Sequence, residues 1–274
     1  MNPVAFTIGS FSVYWYSLCI LLAFVLGFVL VKREIKRHAK ISLDFLYDYF
    51  FYLIPIVIIG ARAYYVIFEW KIYSQNPIEI FKVWNGGLAI HGGIIAGLIY
   101  TCIYTKKHNI NPFRFIDIAV PSLVLGQAIG RWGNFFNQEA YGPVVSLEKL
   151  ESFHLPQFII DGMNINGLYH SPTFFYESMT CLLCFIILIC LRKYYKNLKV
   201  GTLCGIYFII YGIERFLVEG LRQDSLMIGP IKMAQLVSII MLIAGIVFII
   251  LSNIKKIPYI EPIELSKTKK KKGK

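Results

Sequence analysis

Apolar residues in this chain come in long unbroken blocks instead of alternating with polar ones. Seven blocks stand out, at residues 13–31, 46–68, 87–104, 116–136, 172–191, 202–218 and 233–251, each about 17–23 residues long. A helix needs about 20 residues to cross ~30 Å of hydrocarbon. Ile, Leu, Val and Phe fill the blocks and period-2 alternation is absent, which argues against a lipid-facing β-barrel. The pattern predicts an all-α integral membrane protein. It comprises a seven-transmembrane-helix bundle over residues 1–254, an external segment at 138–171 that lies at the membrane interface, and a basic tail at 255–274. No internal repeat or soluble domain is visible. The first block is too long for the core of a cleavable signal peptide, and no basic leader precedes it.

Composition agrees: 57% of the 274 residues are hydrophobic, against 45–50% in a typical soluble domain. The formal net charge of +12 could suggest a nucleic-acid partner, but its distribution points to topology instead. Twenty of the 28 Lys and Arg residues fall after the first, third and fifth blocks and in the tail. Five (Lys71, Lys82, Lys149, Arg222 and Lys232) fall on the opposite side. By the positive-inside rule the N-terminus lies outside and the C-terminus in the cytoplasm. The run at 267–274 is then a solvated tail beside anionic lipid. The six cysteines lie inside or at the edge of apolar blocks. Cys181 and Cys184, although spaced as a metal or redox pair, have no His or further Cys beside them and are expected to be structural.

The remaining three arginines, Arg62, Arg131 and Arg215, lie within the blocks. Charge in hydrocarbon is costly and normally functional. With the topology above, Tyr16, Arg62, His91, Arg131, Asn134, Asn137, Glu139, Tyr176, Glu177, Arg215, Glu219 and Arg222 all fall near the outer face. Arg215, Glu219 and Arg222 share one helical face, as do Arg131 and Asn134. Glycines at 86, 87, 92 and 93 flank His91, and those at 126, 130 and 133 flank Arg131, admitting either close helix packing or a ligand. Taken singly, each residue has a plain structural reading. Arg215 and Glu219 can be an intrahelical pair, Arg62 can snorkel to headgroups, and His91 can bond between helices. Together, three arginines at one depth need an anion or carboxylates to balance them, and guanidinium forks suit phosphate. A transporter would need polar residues at both faces, but the inner halves offer only Asp44, Asp48 and Asp117.

The stretch Gly130-Arg131-Trp132-Gly133-Asn134-Phe135-Phe136-Asn137-Gln138-Glu139-Ala140-Tyr141-Gly142 resembles the signature of the prolipoprotein diacylglyceryl transferase family. Further similarities lie at Trp15-Tyr16, Gly60-Ala61-Arg62, Asn85-Gly86-Gly87, His91-Gly92-Gly93, Pro172 to Glu177, and Tyr211 to Glu219 followed by Arg222-Gln223. Two departures are Ser17, where the family usually has Gly, and His170-Ser171-Pro172, where the family has adjacent His and Pro. The resemblance implies a bacterial plasma-membrane enzyme with seven spans and a site facing outward. It would move the diacylglyceryl group of phosphatidylglycerol to the lipobox cysteine thiol of a prolipoprotein signal peptide, leaving a thioether and glycerol 1-phosphate. This is the first step of lipoprotein modification, and it uses no cofactor, metal or nucleic acid.

The resemblance also implies roles. His91, Arg131, Arg215 and Glu219 are candidate catalytic residues. Tyr16, Arg131, Asn134, Glu139, Gly142, Arg215 and Arg222 are candidate substrate-binding residues. Arg131 and Arg215 would hold the phosphate, with Glu219 fixing Arg215. Asn134 and Glu139 would meet headgroup hydroxyls or orient Arg131. His91 would be either the general base or a hydrogen-bond donor to the phospholipid.

Overall fold

The computed structural model describes residues 1–9, 11–38, 40–222, 227–228 and 231–261. The run at 267–274 and Gln223 lie outside the described residues. The chain divides into two compact units, Met1–Arg33 with Ile116–Lys274, and Glu34–Phe115. Seven helices of 18 residues or more follow one another: α1 (Trp15–Ile35), α2 (Leu43–Phe68), α3 (Ile90–Lys107), α4 (Pro112–Asn137), α5 (Thr173–Tyr194), α6 (Thr202–Leu221) and α7 (Met233–Lys255).

Five of these, α1, α2, α4, α5 and α7, are long and apolar enough to cross a membrane. The blocks at 87–104 and 202–218 also form helices, but they are more polar. α3 carries Lys106 and Lys107 in its last turn, and α6 carries Glu214, Arg215 and Glu219. α3 starts three residues later than its apolar block because Gly86 and Gly87 hold φ of +84° and +73°, outside any helix.

The fold is mainly but not wholly α. Among the described residues three two-stranded antiparallel hairpins occur: Val4–Ile8 with Phe11–Tyr14 before α1, Asn164–Ile165 with Leu168–Tyr169 between α4 and α5, and Met227–Ile228 with Ile231–Lys232 between α6 and α7. Short blocks of alternation such as these are invisible beside 20-residue apolar runs.

In the larger unit, α1 and α4 meet along a seam of small residues. A Cβ on Gly27 would lie 3.6 Å from the Ser122 Cβ, and one on Gly126 would lie 3.7 Å from the Ala23 Cβ. Further along, the Tyr16 ring occupies the space a Cβ on Gly133 would need. Contact positions rise on α4 as they fall on α1, in matching steps of four and seven, so the helices run antiparallel. Small residues suit such seams because apolar packing in lipid depends on close approach. α7 lies against α6 in the same way, with a Cβ on Gly205 only 2.9 Å from the Gly245 carbonyl oxygen and one on Gly212 2.9 Å from that of Ser238.

The start of α6 is capped from another helix. Its N-cap, Gly201, has no side chain to offer the first free N–H groups. Asp117 of α4, fully buried, accepts from the amides of Gly201 at 2.6 Å and Cys204 at 2.8 Å. The tail begins as a packed segment: the amides of Val200 and Tyr259 donate to the carbonyls of Ile257 and Leu198, and the Tyr259 side chain is buried.

The segment 138–171 is folded. It holds two short helices, Leu147–Ser152 and Gln157–Gly162, and the Asn164–Tyr169 hairpin. Leu150, Ile159, Ile160 and Met163 are buried against Phe135 of α4 and Phe174 of α5. The Asn166-Gly167 turn, with both φ positive, is the two-residue hairpin loop that such a dipeptide favours.

In the 34–115 unit, α2 and α3 cross where Gly60 meets Gly92. A Cβ on Gly92 would stand 2.3 Å from the Gly60 carbonyl oxygen. Below the crossing the Tyr49 and Thr101 hydroxyls bond at 2.7 Å, and Tyr104 and Phe115 pack on Phe45.

Candidate functional site

The end of α4 gathers the polar residues of the glycine-rich stretch. Arg131 and Asn134, one turn apart, point the same way, and Arg131 Nη1 donates to Asn134 Oδ1 at 3.4 Å. After Asn137 the chain turns back sharply, with Gln138 at φ +49° and Ala140 at φ +56°. That reversal folds Glu139 onto the helix end. Its amide donates to the Asn134 carbonyl at 3.0 Å, and its carboxylate accepts from Asn134 Nδ2 at 2.9 Å and Asn137 Nδ2 at 3.4 Å. Arg131, Asn134 and Glu139 thus form one hydrogen-bonded chain.

The three glycines around Arg131 on α4, Gly126, Gly130 and Gly133, differ. Gly133 has to be glycine because the Tyr16 ring lies where its Cβ would be. A Cβ on Gly126 would make an ordinary contact, and the space beside Gly130 is open to at least 4 Å. Only Gly130, next to Arg131, leaves room for something else.

Opposite α4, Glu177 of α5 joins the two arginines. Its carboxylate pairs closely with Arg131 Nη2 and accepts from Arg215 Nη1 of α6 at 3.3 Å. Arg215 Nη2 donates to Glu219 Oε2 at 2.6 Å, one turn further along α6. Both carboxylates are almost wholly buried, whereas the Arg131 and Arg215 side chains keep 19% and 17% of their surface exposed. Glu177 and Glu219 balance the two guanidiniums, and each arginine side chain keeps part of its surface exposed. Such paired forks are preorganised for a further oxyanion.

Two residues of this cluster follow only from the fold. Glu177 was expected in the polar layer, but nothing in the sequence shows that it bridges Arg131 and Arg215. Glu214 carried no expectation. It is 5% exposed, and neither carboxyl oxygen has a hydrogen-bond partner among the described residues. It lines a narrow crevice with Val124, Thr180, Cys181 and Tyr211. The signal was its place beside Arg215 in an apolar helix. All six cysteines are free thiols, with Cys181 and Cys184 buried.

Other expected residues take up varied positions. Tyr16 packs on Gly133 and is 36% exposed. Gly142 is enclosed: its amide donates to the Ser171 carbonyl at 3.0 Å, and a Cβ would lie 2.9 Å from the Ser171 Cβ. His170 is buried beside it, with Nδ1 3.0 Å from the Gly142 carbonyl oxygen and the ring against Tyr141, so it fastens the folded segment. Arg222 ends α6, its amide donating to the Glu219 carbonyl at 3.2 Å.

His91 and Arg62 belong to the 34–115 unit. His91 is exposed at the start of α3, with the Tyr64 ring 6.1 Å away. Arg62 is 6% exposed and binds only carbonyls: Nε donates to Ile80 at 2.9 Å, Nη1 to Gly86 at 2.7 Å and Gly87 at 2.9 Å, and Nη2 to Glu79. The Tyr73 ring lies over the guanidinium at 4.9 Å. Of the two readings for Arg62, these bonds favour packing: it ties the 79–87 loop to α2 just before His91.

The family model for prolipoprotein diacylglyceryl transferase matches residues 3–251. The chain belongs to this family. Its relatives are similar over nearly their whole length. A protein of Staphylococcus haemolyticus is 48% identical over 259 residues, covering 94% of this chain and 90% of that protein. One of Staphylococcus saprophyticus is 47% identical over 256 residues, covering 93% and 91%. One of Streptococcus equi subsp. zooepidemicus is 46% identical over 249 residues, covering 91% and 94%. All three are named phosphatidylglycerol–prolipoprotein diacylglyceryl transferase. In this family member the glycine-rich stretch, α5 and α6 meet at the Arg131–Glu177–Arg215 cluster.

Proposed function

We propose that this chain transfers the diacylglyceryl group of phosphatidylglycerol to a cysteine thiol of a prolipoprotein, and that the transfer takes place at the Arg131–Glu177–Arg215 cluster. The observation that carries the site is Glu177, which pairs with both guanidiniums while each arginine side chain stays partly exposed.

In this reading the lipid phosphate sits on Arg131 and Arg215. Glu219 fixes Arg215. Asn134 and Glu139 receive the headgroup hydroxyls, Tyr16 walls the pocket, Gly130 gives it room, and Arg222 extends the positive edge. Gly142 lets the folded segment return tightly beside it. The cysteine sulfur forms a bond to the glyceryl carbon while the carbon–oxygen bond to phosphate breaks, and the electron pair leaves on the phosphate oxygen. The leaving phosphate gains negative charge in that step, which preorganised guanidiniums stabilise strongly where water is excluded. The same cations favour the thiolate, whose free pKa is ~8.5. His91 is the candidate for removing the thiol proton.

The distribution of Lys and Arg supports seven spans with the N-terminus and the site outside and the C-terminus in the cytoplasm of a bacterial plasma membrane. α3 and α6 then cross as the two more polar spans, α3 with Lys106 and Lys107 at its cytoplasmic end and α6 with Arg215 and Glu219 turned to the cluster.

Glycerol phosphate release from purified protein mixed with phosphatidylglycerol vesicles and a thiol-bearing prolipoprotein peptide tests the activity. Release is expected, together with a thioether on the peptide. Absence of both, with the helices intact, rules the reading out. In the same assay full activity of His91→Gln removes His91 as an obligatory base.

A further inference from the structure

The last turn of a helix leaves carbonyls without intrahelical partners. In α6 that turn follows Arg215 and contains Glu219, so its geometry bears on the cluster. Three of the carbonyls at that end, and that of Phe216 one turn back, find donors on the segment that opens α7. Lys232 Nζ donates to the carbonyls of Glu219 at 2.7 Å, Arg222 at 2.8 Å and Gly220 at 3.4 Å. Gln235 Nε2 donates to that of Phe216 at 3.3 Å. A cation at this end also suits the helix dipole.

α7 has no acidic residue and no basic one before its final Lys255, so it brings no charge to the cluster. It lies flush on α6 through Gly205, Gly212 and Gly245. Glu219 is therefore held at both ends. Its carboxylate takes Arg215 Nη2 at 2.6 Å, and its carbonyl takes Lys232 Nζ at 2.7 Å. Rotation or fraying of the last turn would move Glu219 away from Arg215, and Arg215 away from Glu177.

We propose that Lys232 is a positioning residue for the Arg215–Glu219 pair. It acts on phospholipid binding through the backbone of α6 without touching the lipid. This rests on the reading of Arg215 as a phosphate ligand.

The test uses the full chain in phosphatidylglycerol vesicles, with KM measured separately for lipid and for thiol peptide. Lys232→Met is expected to raise the lipid KM roughly five- to tenfold while leaving the peptide KM unchanged. Lys232→Arg, which still donates to several carbonyls, should restore most of the loss. An unchanged lipid KM in Lys232→Met overturns the proposal. So does a parallel change in both KM values together with a lowered thermal midpoint, which marks a fold defect. If Lys232→Met does not accumulate, Gln235→Leu replaces it: a smaller rise of the lipid KM, about twofold, supports the proposal, and no rise overturns it. Near-normal transfer by Arg215→Ala would instead defeat the underlying site reading, whatever Lys232 does.

Discussion

Arg62 and Arg131 are both arginines within apolar helices, yet the two regions treat them in opposite ways. Arg62 spends its donors on the backbone carbonyls of Glu79, Ile80, Gly86 and Gly87 and is 6% exposed. Arg131 meets side chains, Asn134 and Glu177, and keeps 19% of its side chain open. Carbonyls belong to the chain path, so they fix a loop and leave the guanidinium no free edge. Carboxylates neutralise the charge, orient the fork and leave an edge for a ligand. In the proposed reading the difference separates an arginine that builds from one that binds, although the sequence presents both as costly charges at similar depth.

The largest expected effect breaks or secures the binding side. Arg131→Ala should lower glycerol phosphate release by about 100-fold or more with normal protein level, the scale seen when one preorganised charge-stabilising donor is lost. Near-normal release would place Arg131 with Arg62 among the builders. Next comes Arg62→Lys. An ammonium cannot reach four carbonyls as a planar fork does, so about 2–4 kcal/mol of stability should be lost as buried carbonyls go unpaired. The check is the thermal midpoint in detergent. Unchanged stability with abolished transfer would move Arg62 to the binding side.

Glu177→Gln sharpens the contrast. It keeps the shape of the bridge and removes its charge, so transfer should fall about tenfold, the cost of one weakened charge-assisted contact. The lipid KM is the quantity to follow. The smallest effect belongs to the Arg62 loop. The hydrogen bond from Lys82 holds the half-buried Glu79 carboxyl below the ordinary carboxylate range. A lowered folded pKa contributes stability above the unfolded value, and that contribution is lost as pH falls through the folded one. The slight midpoint difference between Glu79→Gln and the parent should therefore be present at neutral pH and vanish in acid.

Much of this was legible in the residues. The seven long helices of the described residues fall on the seven apolar blocks, and five of them are long and apolar enough to cross a membrane. The pairing of Arg215 with Glu219 and the shared face of Arg131 and Asn134 follow from helical spacing alone. What the sequence hid was long-range. The Glu177 bridge joins three helices, and the Asp117 cap of α6 spans 84 residues. Neither leaves a local pattern. The folded state of 138–171 was partly readable, since Asn166-Gly167 between Ile165 and Leu168 is a hairpin signal. Its small core was not, because two of its six buried residues, Phe135 and Phe174, come from the flanking helices. Arg62 was open to both readings until the carbonyls around it were known.

The folded 138–171 segment has a consequence for how the protein meets its surroundings. A chain end or loop is cut by proteases when its backbone can be drawn out into an extended strand. Here His170, Gln138 and the buried Leu150, Ile159 and Ile160 hold the backbone against α4 and α5. Cleavage there then requires loosening those helix ends as well. A protease acting on this segment would report the opening of the helix ends that carry Arg131 and Glu177, and not the slackness of a loop.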